Sequence, residues 1–246
     1  MPQVRVGTSG YSYNHWKEIF YPAGTPQSRW LEFFAQEFHT VEINNSFYRL
    51  PERGTFENWR SRTPPGFVFS VKASRYITHV KRLKDRESLE RFLHHARGLG
   101  EKLGPILFQL PPNMKADAGR LDEFLSWREK ADTWAIEFRS DSWFSDEIYS
   151  LLQQHDTALC VQDMTPGCPA IATASIAYVR LHGTHVHDGN YDRTTLRRWA
   201  DTLAGWLDGG KDVYAYFNND VHGYAVFNAR TLASLLKKRV PAALTV

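Results

Sequence analysis

The chain of 246 residues is 42% hydrophobic and 23% charged, with 14% aromatics, which is enough apolar material for a large core and excludes a mainly disordered protein. No run of about eighteen apolar residues occurs, so no membrane-spanning helix is expected, and the opening segment lacks the apolar region of a signal peptide, which predicts a cytoplasmic protein. A net charge of +3 is too mild to argue for nucleic acid, and two cysteines, Cys160 and Cys168, make neither a disulfide framework nor a four-ligand zinc site.

The first strand-like run is Val4–Gly7. After it, Trp30, Phe33, Phe34 and Phe38 recur at helical spacing, with Thr25 as the expected cap and Pro26 as the first helical residue. Thr40–Asn44 reads as a second strand, and Pro64, Pro65 and Gly66 punctuate the step into a third, Phe67–Lys72. A helix follows Asp85, with Leu89, Phe92, Leu93 and Ala96 on one face. The strand Ile106–Leu110 is followed by a helical face of Leu121, Phe124 and Leu125. Trp134–Arg139 is the fifth strand, and Ile148, Leu151 and Leu152 form a helix after Ser145. The sixth and seventh strands, Ala158–Gln162 and Ala177–His182, are joined by 163–175, where Pro166, Gly167 and Pro169 oppose a regular helix. That stretch still has the dozen or so residues that a crossover between parallel strands needs. Leu196, Trp199, Leu203 and Trp206 make a helix after Asp192, Val213–Asn218 is the last strand, and a helix through Phe227, Leu232, Leu235 and Leu236 closes the chain.

Strand and helix alternating eight times in roughly 250 residues predict a single (β/α)8 TIM-type barrel over residues 1–246, with the irregular connection between strands 6 and 7. A doubly wound open sheet is the runner-up. Its usual glycine-rich turn is poorly matched by Gly7-Thr8-Ser9-Gly10, and nothing else in the sequence calls for a cofactor.

Alternate residues of a barrel strand face the interior. With Val41, Ile43, Phe67, Phe69, Val71, Ile136, Phe138, Val179 and Leu181 facing the helices, the opposite parity points inward. That set contains Glu42, Asn44, Ser70, Lys72, Gln109, Glu137, Arg139, Gln162, Tyr178, Arg180, His182, Tyr216 and Asn218. These polar residues fall near the C-terminal strand ends, where active sites of this fold lie. Charges buried there must pair with one another, bind a ligand, or both. Lys72, Arg139 and Arg180 outnumber Glu42 and Glu137, so an ion-pair network alone leaves a positive surplus that a small anionic ligand can balance. From Lys72 to Lys84 the chain carries Arg75, His79, Lys81 and Arg82 and no acid, which reads as a solvated charged face or a basic lid over a phosphate or carboxylate.

Several motifs are long. Gly7-Thr8-Ser9-Gly10-Tyr11-Ser12-Tyr13 with Trp16, and Glu42-Ile43-Asn44-Asn45-Ser46-Phe47-Tyr48-Arg49-Leu50-Pro51, come first. Val71-Lys72-Ala73-Ser74-Arg75 with Ile77-Thr78-His79, Leu107-Phe108-Gln109-Leu110-Pro111-Pro112 and Glu137-Phe138-Arg139 with Ser142-Trp143 follow. Val179-Arg180-Leu181-His182-Gly183 and Tyr216-Phe217-Asn218-Asn219-Asp220 with Asn228-Ala229 complete the set. Together they resemble the YecE-like family, a barrel family of unknown function, over nearly the whole chain. The resemblance implies a cytoplasmic TIM-type barrel with its site at these strand ends, and it adds Ser9 and Asn219 to the ligand-binding candidates. Ser140 follows the Glu-Phe-Arg triplet where that pattern often has His, so no imidazole role carries over to that position.

His182 is the first candidate for general acid or base, with Glu42 and Glu137 as alternatives. Two carboxylates in one pocket also suit glycoside hydrolysis if their separation allows it. Lys72 beside Arg139 or Arg180 is either an anion-binding lysine or a neutral nucleophile for a carbonyl compound. Trp16, Tyr48 and Trp143 are candidates for stacking on a sugar or base, or for rim packing. Glu42, Glu137, Asp163 and His182 are metal-ligand types, but the neighbouring cations repel a metal. His185, His187 and Asp188 sit in a loop without a ligand-fixing motif, so no metal is assigned. Two function classes stand. One is an enzyme, whether hydrolase, lyase or isomerase, acting on a small anionic substrate by acid–base chemistry; a metal-dependent hydrolase or isomerase is its variant. The other is a binding protein for phosphate-rich ligands or nucleic acid.

Overall fold

Eight parallel strands close on themselves in sequence order, β1 Val4–Ser9, β2 Thr40–Ile43, β3 Val68–Lys72, β4 Leu103–Gln109, β5 Trp134–Glu137, β6 Thr157–Gln162, β7 Ile176–Leu181 and β8 Asp212–Phe217, with β8 pairing back to β1. The structure, a computed structural model of the chain, describes residues 1–183, 188–240 and 243. Closure leaves no sheet edge, and the order is that of a (β/α)8 barrel.

Strand parity sorts the apolar residues into two separate clusters. Val41, Ile43, Phe69, Val71, Ile106, Phe108, Ile136, Val161, Val179, Leu181 and Phe217 belong to the large cluster that packs under the helices. Leu107, Ala135, Ala158, Cys160, Ile176, Tyr178, Tyr214 and Tyr216 form a smaller one inside the barrel. The interior core is thus apolar and aromatic low down and turns polar towards the C-terminal ends. Residues one or two steps further along the same inward rows are Glu42, Lys72, Gln109, Glu137, Gln162 and Arg180.

The helices start where side chains can cap them. Asp85 accepts from Ser88 N ahead of α4 (Arg86–Ala96), which follows α1 (Trp30–Phe34), α2 (Asn45–Tyr48) and α3 (Arg53–Ser61). Asp117 and Ser145 do the same for α5 (Ala118–Ser126) and α6 (Asp146–Gln154). Asp192 caps α7 (Arg193–Asp208), and α8 (Tyr224–Arg239) ends the fold. No helix among the described residues is long and apolar enough to cross a membrane. Residues 163–175 hold no helix, as their prolines predict; Thr173 Oγ1 instead accepts from Leu159 N at 2.8 Å and donates to Thr157 O at 2.8 Å, tying the crossover to β6.

Two local expectations need correction. Pro26 is not the first helical residue: it keeps an extended backbone (φ −67°, ψ 145°) and precedes a 3-10 turn, Gln27–Arg29, that feeds α1 without a Thr25 cap. Asn44, Arg139, His182 and Asn218, expected as strand residues, lie one or two positions past the strand ends. There the chain leaves the ladder for its loops, which moves these four side chains from the barrel wall to its mouth.

Candidate functional site

Arg180 occupies the centre of the barrel top, 1% exposed, on β7. Its Nε and Nη2 donate to Glu42 Oε1 at 3.1 and 2.9 Å, and its Nη1 donates to Glu137 Oε2 at 2.8 Å. Nη2 also reaches Ser9 Oγ at 3.2 Å. Glu42 accepts in addition from the Ser9 hydroxyl and from Tyr178 Oη at 2.6 Å. Glu137 accepts from Gln109 Nε2 at 2.8 Å and forms an ion pair with Arg139. Both carboxylates are fully buried. Burial by itself would raise the Glu137 carboxyl, but Arg180, Arg139, His182 and Lys72 together hold it well below the usual carboxylate range. Beneath this layer, Tyr216 Oη shares hydrogen bonds with Thr40 and Ser70 hydroxyls, each at 2.7 Å.

Above it opens a cavity of about 890 Å³. Asn44, Tyr48, Lys72, His79, Gln109, Arg139, Arg180, His182 and Asn218 line it. Lys72 Nζ donates to Gln109 Oε1 at 3.0 Å and lies 4.1 Å from the centre of the Phe47 ring. Burial and the Arg180 guanidinium pull the Lys72 ammonium down to about 8, against the opposing pull of Glu137 and Glu42. His79 is carried in by a π-type turn, Tyr76–Val80, directly after β3, and packs edge-on against Phe47. Burial and the cations Arg75, Lys72 and Arg82 hold its imidazole down at about 4, so it is neutral near pH 7.

His182 is held by Asp163, whose Oδ1 accepts from the His182 backbone N at 2.9 Å and from Nδ1 at 3.1 Å. The other Asp163 oxygen accepts from the Tyr191 hydroxyl. Burial acts to raise the Asp163 carboxyl, but the His182 and Tyr191 hydrogen bonds keep it below its ordinary value. This arrangement places the ring proton on Nδ1 and directs Nε2 towards Arg139, 3.4 Å from Nη2. A carboxylate behind the ring fixes its tautomer and orientation for proton transfer at Nε2.

The sequence candidates therefore divide. Lys72, His79, Gln109, Arg139, Arg180, His182, Asn44, Asn218 and Tyr48 share one cavity, with Tyr48 82% exposed at its rim. Glu42, Glu137, Ser9 and Tyr216 lie below its floor. Arg75 is exposed and does not line the cavity, and neither Lys81, Arg82 nor Lys84 reaches it, so of the basic segment only Lys72 and His79 enter the site. Asn219 is turned away: its Nδ2 donates to Gly189 O at 2.7 Å and to Asn228 Oδ1 at 2.8 Å. Trp16 and Trp143 are fully buried packing residues, Trp143 stacked on Phe138 at 4.7 Å, and offer no stacking face to a ligand. No three of His, Cys, Asp and Glu converge as a metal-ligand set among the described residues; His185 and His187 lie outside them. Asp163 escaped the parity rule because it sits one residue beyond β6, where alternation no longer applies; its position after an inward Gln162 at a strand end was the available signal.

A parallel (β/α)8 barrel whose cavity, lined by cationic and amide side chains among apolar ones, lies over a buried arginine–carboxylate layer is the class that fold and site define. The chain belongs to the family described as "Protein of unknown function DUF72", whose profile matches residues 5–245. It is 27% identical over a 279-residue alignment to the UPF0759 protein YunF of Bacillus subtilis (strain 168), covering 95% of this chain and 94% of YunF. The crystal structure of a DUF72 family protein from Thermotoga maritima MSB8 matches at a TM-score of 0.86 and 30% identity, over 96% of this chain and 99% of that one. A DUF72 family protein from Enterococcus faecalis V583 shares the fold, at a TM-score of 0.81 and 19% identity, over 96% of each chain. The sequence motifs' expectation of a barrel family without an assigned activity holds at that level.

Proposed function

We propose that this protein is an enzyme acting on a small anionic compound, phosphorylated substrates included, by acid–base chemistry at the C-terminal mouth of the barrel. One observation carries the reading: Glu42 and Glu137 are sealed beneath Arg180, while Lys72, Arg139 and the Nε2 side of His182 face a shared cavity that has no carboxylate in its lining among the described residues. Arg139 binds the acid group of the substrate, with Lys72 beside it in the same cavity. His182 moves the proton at Nε2, and Asp163 positions it. Glu42 and Glu137, first considered as proton-transfer groups, serve instead to fix Arg180 and Arg139. Asn44 lines the same cavity and donates Nδ2 to Ser9 Oγ at 2.7 Å, while its Oδ1 is buried with no hydrogen-bond partner among the described residues.

Screening wild-type protein against a metabolite pool, followed by calorimetry with inorganic phosphate, tests this. His182→Ala and Asp163→Asn are expected to lose turnover by about 10²–10⁴-fold and about tenfold or more respectively, while phosphate affinity stays. Arg139→Ala should weaken phosphate binding first. Turnover indifferent to His182→Ala would overturn the catalytic assignment. Phosphate binding with no turnover in any pool, and with His182→Ala and Arg139→Ala changing affinity together, would identify a binding protein instead, and a steep salt dependence with oligonucleotides would assign nucleic acid as its ligand.

A further inference from the structure

Resting on the anion-binding reading of the cavity, we propose that Lys72 is an imine-forming amine and that the compound the cavity takes is an aldehyde or ketone that also carries an acid group.

The geometry separates Lys72 from the other cations of the site. Arg180 and Arg139 are each paired with a carboxylate. Among the described residues Lys72 is not: it donates to the neutral amide oxygen of Gln109. Gln109 passes the contact on, donating Nε2 to Glu137 Oε1, so it stands between the amine and the nearest carboxylate while fixing Nζ in place. On the other side the amine rests on the Phe47 ring, and its own backbone carbonyl is held by Ser46 Oγ at 2.7 Å. An unpaired ammonium over the Phe47 ring also suits anion binding, but burial beside Arg180 without a paired carboxylate favours the neutral amine, which only a nucleophilic lysine uses. The resulting value of about 8 leaves about a tenth of the groups neutral at pH 7, against a few in ten thousand for an ordinary lysine.

A neutral amine has two N–H groups and one lone pair. One N–H stays on Gln109 Oε1, and the lone pair is free for a carbonyl carbon in the cavity. The lone pair forms the C–N bond as the carbonyl π pair moves to oxygen, which takes up a proton. In all the oxygen collects two protons, the one released by the nitrogen and one from the medium, and leaves the carbinolamine as water while the nitrogen lone pair forms the C=N bond. Amine, carbonyl compound and one proton thus give iminium and water. His182, held by Asp163 in the same cavity, is the group placed to pass these protons. Arg139 is placed for the acid group.

The test uses full-length protein at pH 7 with substoichiometric pyridoxal 5′-phosphate, and separately glyoxylate, as anionic aldehydes. The adducts are reduced with cyanoborohydride and mapped by peptide mass spectrometry. Lys72 is expected to be modified at least about tenfold faster than any other lysine, from its larger neutral fraction. Inorganic phosphate should protect it, and Lys72→Arg, which keeps the charge, should give no adduct in the cavity. Phosphate binding by calorimetry with Lys72 unmodified would overturn the imine while leaving the anion site intact. Selective modification of Lys72 without phosphate binding or protection would overturn the acid-group part of the proposal and the anionic-substrate reading with it. Modification spread evenly over surface lysines, with no phosphate binding, would remove both.

Discussion

Arg180 divides one guanidinium between Glu42 and Glu137, and every partner in that exchange is buried. Removing the arginine strands Glu42 in a low-dielectric interior and leaves Glu137 to Arg139 alone, and an unpaired buried charge costs far more than the pair contributed. Arg180→Leu is expected to lower unfolding free energy by about 3–5 kcal/mol in urea titrations. Adding Glu42→Gln and Glu137→Gln should recover part of that loss. Lys72 gives the opposite kind of prediction. Its folded value lies near 8, below its unfolded one, so between these values the native state releases a proton that the unfolded chain keeps. Stability contributed by Lys72 therefore rises with pH across that window. Relative to Lys72→Met, wild type should gain about 2–3 kcal/mol between pH 7.5 and 10.5, read as the change in their stability difference. The identity of these residues was legible from strand parity. Their depth was not: parity assigns Glu137 and Lys72 to the same interior, and only the third dimension puts one under the floor and the other in the cavity.

At the scale of strands and helices, the two sequence periods were enough to find all eight strands, because helix-facing positions are filled by Val, Ile, Phe and Leu at every second residue. Helix starts with an Asp or Ser cap were equally readable, as at Asp85, Ser145 and Asp192. The start at Thr25 and Pro26 was misread because capping residues and a proline also begin 3-10 turns. α2 was hidden by its four-residue length, and α3 by its sparse apolar content, since of Arg53–Ser61 only Phe56 and Trp59 are buried. Gly7 shows how tightly β1 and β2 approach. A Cβ there would fall inside contact distance of the Thr40 carbonyl oxygen, which belongs to the neighbouring strand and cannot swing aside. Gly7→Ala should cost several kcal/mol, roughly 2–4, by overpacking and loss of the β1–β2 ladder. Thermal unfolding of the variant checks this, and it should also weaken phosphate binding, since Ser9 lies two residues on.

For the molecule as a whole, the barrel's closure and the site's assembly are the same event. Ser9, Glu42, Glu137 and Arg180 come from β1, β2, β5 and β7, spread over most of the chain. During synthesis the two acids emerge long before the arginine that bridges them. A growing chain that has completed β6 already holds Glu137 beside Arg139 but has no guanidinium yet for Glu42, and its first strand still lacks β8. The unpaired Glu42 then disfavours burial of the barrel top, and the unfilled strand edges leave the leading part of the chain open to mispairing. The late arrival of Arg180 makes this residue a clasp: the buried layer at the barrel top can settle only once the last third of the chain, which carries Arg180 and β8, is available to lock it.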